Sequence, residues 1–358
     1  MTTKERYLRT LRLQAVDRPP LLAPGGPWAT TLARWHTEGL PAGAALEDYL
    51  GLETLAVAPV GIETLLWPRF AEKVLSDDGR CVTHVNAEGV TVRDLRDGVS
   101  MPEFIDYPIK GPADLSWLHD RLCWLTPGRV RGDWRDEALA RQRAGQIVFC
   151  NGGMYFAFLN EHMGTEPLMY AYADHPEFIH AVNEMLCALC ENALTTALPH
   201  VTLDYVGYHE DMAYRNGSMI SPAMFREFMT PYYRRVTRIA RAHGIDVHVM
   251  DSDGDIRELI PLWLECGIHV VTPVEAAAGM DVVELRRRFG RDLGMMGGFD
   301  KRILAGPKAG IRREFDRLAP VIAEGGYLPG CDHGVPHDVP FANYKYLVEL
   351  LKGLYGMT

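Results

Sequence analysis

No stretch of about 18 uncharged apolar residues occurs in the chain, so no membrane-spanning helix is expected. The opening MTTKERYLRTLRLQAVDRPP is charged and holds no apolar run of the kind a secretory signal needs. Concentrated positive charge is missing too. The 37 bases stand against 47 acids, for a formal charge of −10, and the densest basic spot is Arg286-Arg287-Arg288. Phosphate backbones call for clustered Lys and Arg, so nucleic acid is not the expected partner. Cysteines number seven, an odd count spread from Cys81 to Cys331, which suits free thiols in a reducing cytoplasm better than a disulfide frame. Cys187 and Cys190 form a CxxC inside FIHAVNEMLCALCENAL, where helical spacing makes them packing residues. A GxGxxG after a strand, a P-loop and a GxSxG elbow are all absent, which removes the sequence support for a nicotinamide enzyme or an α/β-hydrolase.

What the 358 residues do contain is a recurring unit. Short apolar runs end in small or polar residues and are followed by helical patterns. Eight such runs begin with PPLLAPGG (19–26), LETLAVAPV (52–60), QIVFCNGG (146–153) and VTLDYVGYHED (201–211). IDVHVMDSDGD (245–255), IHVVTPVE (268–275), LGMMGGFD (293–300) and GGYLPGCDH (325–333) complete the set. Nearly continuous apolar strands alternating with helices imply a parallel sheet covered on both faces. Eight units imply a (β/α)8 TIM-like barrel, with an open doubly wound sheet as the structural alternative. Segment 61–145 breaks the rhythm. EKVLSDDGRCVTHVNAEGVTVRDL alternates between turn signals and reads as an antiparallel β-hairpin, followed by helices over ADLSWLHDRL and WRDEALARQRAG. With no linker and no internal repeat, residues 1–358 parse as one barrel domain carrying this insertion in its N-terminal half.

In such a barrel the reacting groups lie at the C-terminal ends of the strands. Here those ends carry Asn151, His209-Glu210-Asp211, Asp251-Ser252-Asp253, Glu275, Asp300 and Cys331-Asp332-His333. Asp and Ser after a strand also cap helices, so Asp253 or Asp255 can cap IRELIPLW and Asp300 can cap KRIL. As a set, though, several carboxylates facing one hollow must share a proton or hold a cation. Asp, Glu, His and Cys together suit zinc if Cys331 or His333 joins, and magnesium or manganese if only oxygens do.

The runs HGIDVHVMDSDGDIRELIPLWLECGIHVVTPVEAAAGMDVVELRRRFG, MMGGFDKRILAGP and GGYLPGCDHGVPHDVPFANYKYLVELLKG resemble the uroporphyrinogen decarboxylase superfamily. The likeness covers most of the chain and implies a TIM-like barrel. It is closer to the superfamily's cobalamin-dependent methyltransferase-like branch than to true uroporphyrinogen decarboxylase. The decarboxylase acts on an octa-acid porphyrinogen through an arginine-rich N-terminal turn. Here that place reads LLAPGGPWATT, without arginine, and an acidic mouth repels a polyanion. The methyltransferases bind zinc through a His-x-Cys and a later Cys. Those positions correspond to Asp251, Asp253 and Cys331 in this sequence.

The resemblance therefore implies a cytoplasmic methyltransferase moving a methyl group between a small-molecule donor or acceptor and a corrinoid. Asp251, Asp253 and Cys331 would hold a divalent metal, zinc foremost. His209, Glu210 and His333 would act as catalytic acid–base groups, and Asn151, Asp211, Glu275 and Asp300 would contact substrate. No Asp-x-His-x-x-Gly corrinoid signature occurs, so the cobalamin would come free or on a partner corrinoid protein. A decarboxylase of a smaller acid and a non-catalytic ligand-binding barrel are the competing expectations.

Overall fold

A computed structural model describes residues 1–96 and 101–357 of the chain. Seven of the eight apolar runs form strands of one sheet: β1 (Val57–Pro59), β6 (Ile147–Gly153), β7 (Tyr205–His209), β10 (His248–Asp251), β11 (Val270–Thr272), β12 (Gly294–Phe299) and β13 (Tyr327–Cys331). They pair in that order, parallel throughout. The register puts Phe149 beside Tyr205, Gly207 beside Val249 and Val249 beside Val270. Parallel pairing needs a crossover each time, and the helices between the strands supply it.

The eighth run does not form a strand. Segment 19–26 nonetheless lies along the gap between β13 and the stretch before β1. Glu53 N–H donates to Leu21 C=O on one side at 2.8 Å, and Cys331 N–H donates to Pro24 C=O on the other at 3.3 Å. Prolines 19, 20 and 24 have no N–H to offer a ladder, which is why the barrel closes here through irregular chain.

The barrel floor is plugged by the helix Thr3–Leu11. A capping box starts it: Thr2 accepts from Glu5 N–H while the Glu5 carboxylate accepts from Thr2 N–H. Its Tyr7, Leu8 and Leu11 pack with Ile147, Tyr205, Val247, Val249, Val270 and Leu328 inside the sheet. Burial of a leucine side chain contributes roughly 1.5–3 kcal/mol. Lys4 Nζ fixes the plug by reaching both Gln146 C=O and Asp204, each at 2.8 Å. The outer layer is helical, its longest member the 22-residue helix Pro176–Ala197, and this layer buries Cys187 and Cys190 as packing residues.

The 61–145 segment holds more sheet than a hairpin. Strands β2 (Lys73–Asp77), β3 (Cys81–Val85), β4 (Thr91–Leu95) and β5 (Glu103–Asp106) form a four-stranded antiparallel meander. Helices Leu115–Leu122 and Trp134–Arg143 follow, where the pattern predicts them. Arg129, 1% exposed, ties this segment together. Its guanidinium donates to the carbonyls of Glu63, Leu65, Arg121 and Cys123. Strands β8 (Ala213–Tyr214) and β9 (Gly217–Ser218) make a small hairpin over the barrel mouth. No helix among the described residues is long and apolar enough to cross a membrane.

Candidate active site at the barrel mouth

The chain after β10 answers for its own acids through backbone donors. Ser252 N–H donates to Thr272 C=O at 2.9 Å, Asp253 N–H to the Asp211 carboxylate at 2.9 Å, and Gly254 N–H to Glu275 at 2.8 Å. Asp255 N–H donates to Tyr214 C=O at 2.8 Å. Gly254 is required here: it has φ +87°, and a Cβ would come within 2.2 Å of Ala213 C=O. The loop is thereby pinned to the ends of three strands, and the Asp253 carboxylate is aimed into the mouth.

Two clusters result. In the first, Asp253, Glu275 and His333 bring one ligand atom each within 4.8 Å of one another. His333 Nε2 lies 3.1 Å from both Asp253 oxygens. That contact lowers the Asp253 carboxyl and raises the His333 imidazole. Asp332, wholly buried behind them, accepts from Ala276 N–H at 3.2 Å, and burial raises its carboxyl.

In the second, His209 stands among three half-exposed carboxylates. Its Nδ1 is 3.5 Å from Asp251, and its Nε2 is 3.6 Å from Asp211 and 3.7 Å from Glu161. Asp251 and then Glu161 raise the imidazole to about 11, so it carries a proton at neutral pH. Asp211 is itself raised, chiefly by burial. Below this pair opens a cavity of about 300 Å3 inside the barrel, with His209, Asp251 and Asn151 at its upper rim. Asn151 donates to Thr64 Oγ1 at 3.1 Å, which orients its amide.

The other expected residues take other places. Glu210 faces away from the cavity and is 0% exposed. It accepts from the backbone N–H groups of Tyr155, Phe156 and Ala157 and from the Tyr233 hydroxyl, holding the start of the helix Phe156–Met163. Cys331 is buried beneath Gly25, whose added Cβ would sit 3.0 Å from the Cys331 Cβ, and burial raises its thiol. It is not in the three-residue group, and neither is Asp251, which pairs with His209. Asp300 caps the helix Lys301–Leu304 and pairs with Arg302. Asp255 is bound to Arg257. Glu161 was not anticipated, because it lies within the helix Phe156–Met163 rather than at a strand end. Its place four residues after Ala157, on the helix that Glu210 anchors, is the missed signal.

Residues 157–354, more than half of the chain, match the family described as Uroporphyrinogen decarboxylase (URO-D), and the chain belongs to that family. Curated relatives are distant. The chloroplastic uroporphyrinogen decarboxylase of Zea mays is 27% identical over 138 residues, 38% of this chain and 34% of that protein. The uroporphyrinogen decarboxylase of Chlorobium luteolum is 25% identical over 205 residues, 56% of this chain and 54% of the relative. The chain thus spans between a third and about half of the length of these relatives. A methyltransferase from Methanosarcina mazei superposes with a TM-score of 0.60 at 15% identity, covering 99% of both chains, which places the fold among barrels of this kind.

Proposed function

We propose that this chain transfers a methyl group between a small molecule and a corrinoid, with a divalent cation, zinc foremost, held by Asp253, Glu275 and His333. The observation that carries the proposal is the convergence of those three donors at the barrel mouth, where Asp253 and Glu275 line an open groove together with Asp211, Tyr214 and Arg215. One imidazole nitrogen and two carboxylate oxygens are a borderline donor set that fits zinc or manganese. Such a cation, when bound, supplies Lewis acidity that favours the deprotonated form of a methyl acceptor such as a thiol. The chain's own groups set the stage. Asp211 and Glu275 fix the loop that aims Asp253. Asp253 orients His333, and charged His209 holds Asp251 and Glu161 at the rim. Cobalamin would arrive free or on a partner protein.

The test combines metal analysis with a spectrophotometric assay. The purified chain should retain about one zinc per molecule, lose it in Asp253→Ala, and change the absorbance of methylcobalamin when an acceptor thiol is added. Metal-free protein that leaves methylcobalamin untouched would sink the proposal. One observation favours a second reading, decarboxylation of a small acid: His209 is a charged acid at a cavity rim, placed to protonate the carbon that carbon dioxide leaves. Release of labelled carbon dioxide from a carboxylated substrate, abolished in His209→Ala and indifferent to chelators, would select it.

A further inference from the structure

Asp332 is wholly buried and only half used. Its Oδ2 accepts from Ala276 N–H at 3.2 Å, while its Oδ1 has no hydrogen-bond partner among the described residues. Its one ion-pair neighbour among those residues is His333, whose Nδ1 stands 4.0 Å from Oδ2 and is likewise buried without a partner. A buried carboxylate oxygen left unpaired is costly, and capping the short turn Ala276–Ala278 needs only the other oxygen. We propose that Asp332 is the positioning residue of the cation site proposed above, on which this role rests: its carboxylate takes the Nδ1–H of His333 while Nε2 serves the cation.

His333 turns Nε2 toward Asp253, 3.1 Å from both carboxylate oxygens, so its other nitrogen points back into the protein, where Asp332 lies. Closing 4.0 Å to an ordinary hydrogen bond takes about 1 Å of movement. An imidazole that binds a cation through one nitrogen carries its proton on the other, and a carboxylate there fixes both the tautomer and the ring plane. The same carboxylate holds a second ligand. Ala276 follows Glu275 directly, so the N–H that Asp332 accepts belongs to the peptide that joins them. Asp332 N–H in turn donates to Phe299 C=O at 3.1 Å, which ties the carboxylate to the end of β12. Asp253 is held by another acid, since its N–H donates to Asp211 at 2.9 Å. Two acids that are not ligands thereby set all three.

Zinc titration of the full chain, in competition with a chromophoric chelator, tests the role. Asp332→Asn keeps one acceptor and sets an NH2 against the second donor. It should bind zinc about 10–100-fold more weakly than wild type, with the cooperative thermal transition of the metal-free protein kept. A role confined to capping the turn would do the opposite, lowering the transition and leaving the affinity unchanged. NMR of histidine-labelled, zinc-loaded protein adds a signature that capping would not move: a slowly exchanging His333 Nδ1–H in wild type, lost in Asp332→Asn. Should that variant not fold, zinc-soaked wild-type crystals serve instead, with Nδ1 expected about 2.7–3.2 Å from the Asp332 carboxylate. Equal affinity in folded Asp332→Asn, an unprotected Nδ1–H in wild type, or Nδ1 turned to another acceptor overturns the inference. Zinc that sits on Asp253, Glu275 and His333 but ignores Asp332 leaves the metal proposal standing, whereas zinc that never binds there removes both.

Discussion

Replacing Glu210 separates a structural carboxylate from a catalytic one. Its two oxygens take three backbone N–H groups and one hydroxyl in a site with 0% exposure. Burial pushes the carboxyl upward, and the four donors oppose it. In Glu210→Ala all four donors are orphaned, at about 1–3 kcal/mol each, partly offset because no carboxylate is desolvated any longer. A net loss of about 4 kcal/mol follows. Unfolding entropy of roughly 2.1 cal/mol/K per residue gives about 0.75 kcal/mol/K for a chain of 358 residues, so the melting temperature should fall by about 5 °C. Glu210→Gln is milder. Its amide oxygen still accepts from Phe156 and Ala157, its NH2 can donate to the Tyr233 oxygen, and only the Tyr155 N–H is stranded. About 2 kcal/mol and about 3 °C are expected. Differential scanning calorimetry measures both, with metal content followed in parallel. An alanine variant melting within about 1 °C of wild type would refute the accounting. A glutamine variant with an unchanged melting temperature but turnover lowered by orders of magnitude would return Glu210 to the catalytic role its position suggests.

His209 should stay protonated well above neutrality, as followed by NMR of its ring, and Asp251→Asn should bring its titration down toward the ordinary value. Because its folded-state pKa of about 11 lies above the reference 6.5, its stabilising contribution is complete below about pH 6.5 and is lost as pH climbs toward 11. A denaturation series across that window should show wild type losing stability that His209→Gln never had. Cys331→Ser should retain the metal bound by wild type in equilibrium dialysis, while His333→Ala should lose it. Equal loss in both would put the thiol back among the ligands. Arg129→Lys cannot serve four carbonyls with one ammonium, so it should destabilise by about 2–3 kcal/mol and speed limited proteolysis within 61–145. Unchanged cleavage there would refute that role.

The barrel was legible because apolar runs and helical periods alternate along the chain, and seven of the eight runs became strands. Run 19–26 failed for a reason visible in it, since its prolines cannot donate to a ladder. The meander was half legible: turn signals at Asp78-Gly79 and Glu88-Gly89 marked β3 and its neighbours, but β5 (Glu103–Asp106) follows Met101-Pro102 with no alternation to announce it. At the mouth, the strand-end rule found His209, Asp211, Asp251, Asp253, Glu275 and His333 together. It could not say which way each points. Tyr205, Gly207, Tyr208 and His209 all line the cavity, so strand phase alone does not turn Glu210 away; the donors of Tyr155, Phe156, Ala157 and Tyr233 do. Asp251 and Asp253 share one strand phase, yet they join different clusters. The backbone contacts of Asp253 and Gly254, which decide this, come from segments 42 and 21 residues away in sequence.

The irregular stave at 19–26 has a bearing on how the molecule behaves in company. A barrel with a missing strand leaves two bare rims, and each would ordinarily invite a foreign strand to dock. Here the intruder would find prolines along the opening, with Gly25 seated on Cys331 and the Gly25 carbonyl taken by the Tyr344 hydroxyl at 3.0 Å. Gly26 and Val335 close the upper corner by a backbone bond of 2.9 Å. The gap is stoppered rather than laddered, so protection from hydrogen exchange should fall sharply beyond β1 and β13 while self-association through that side stays blocked.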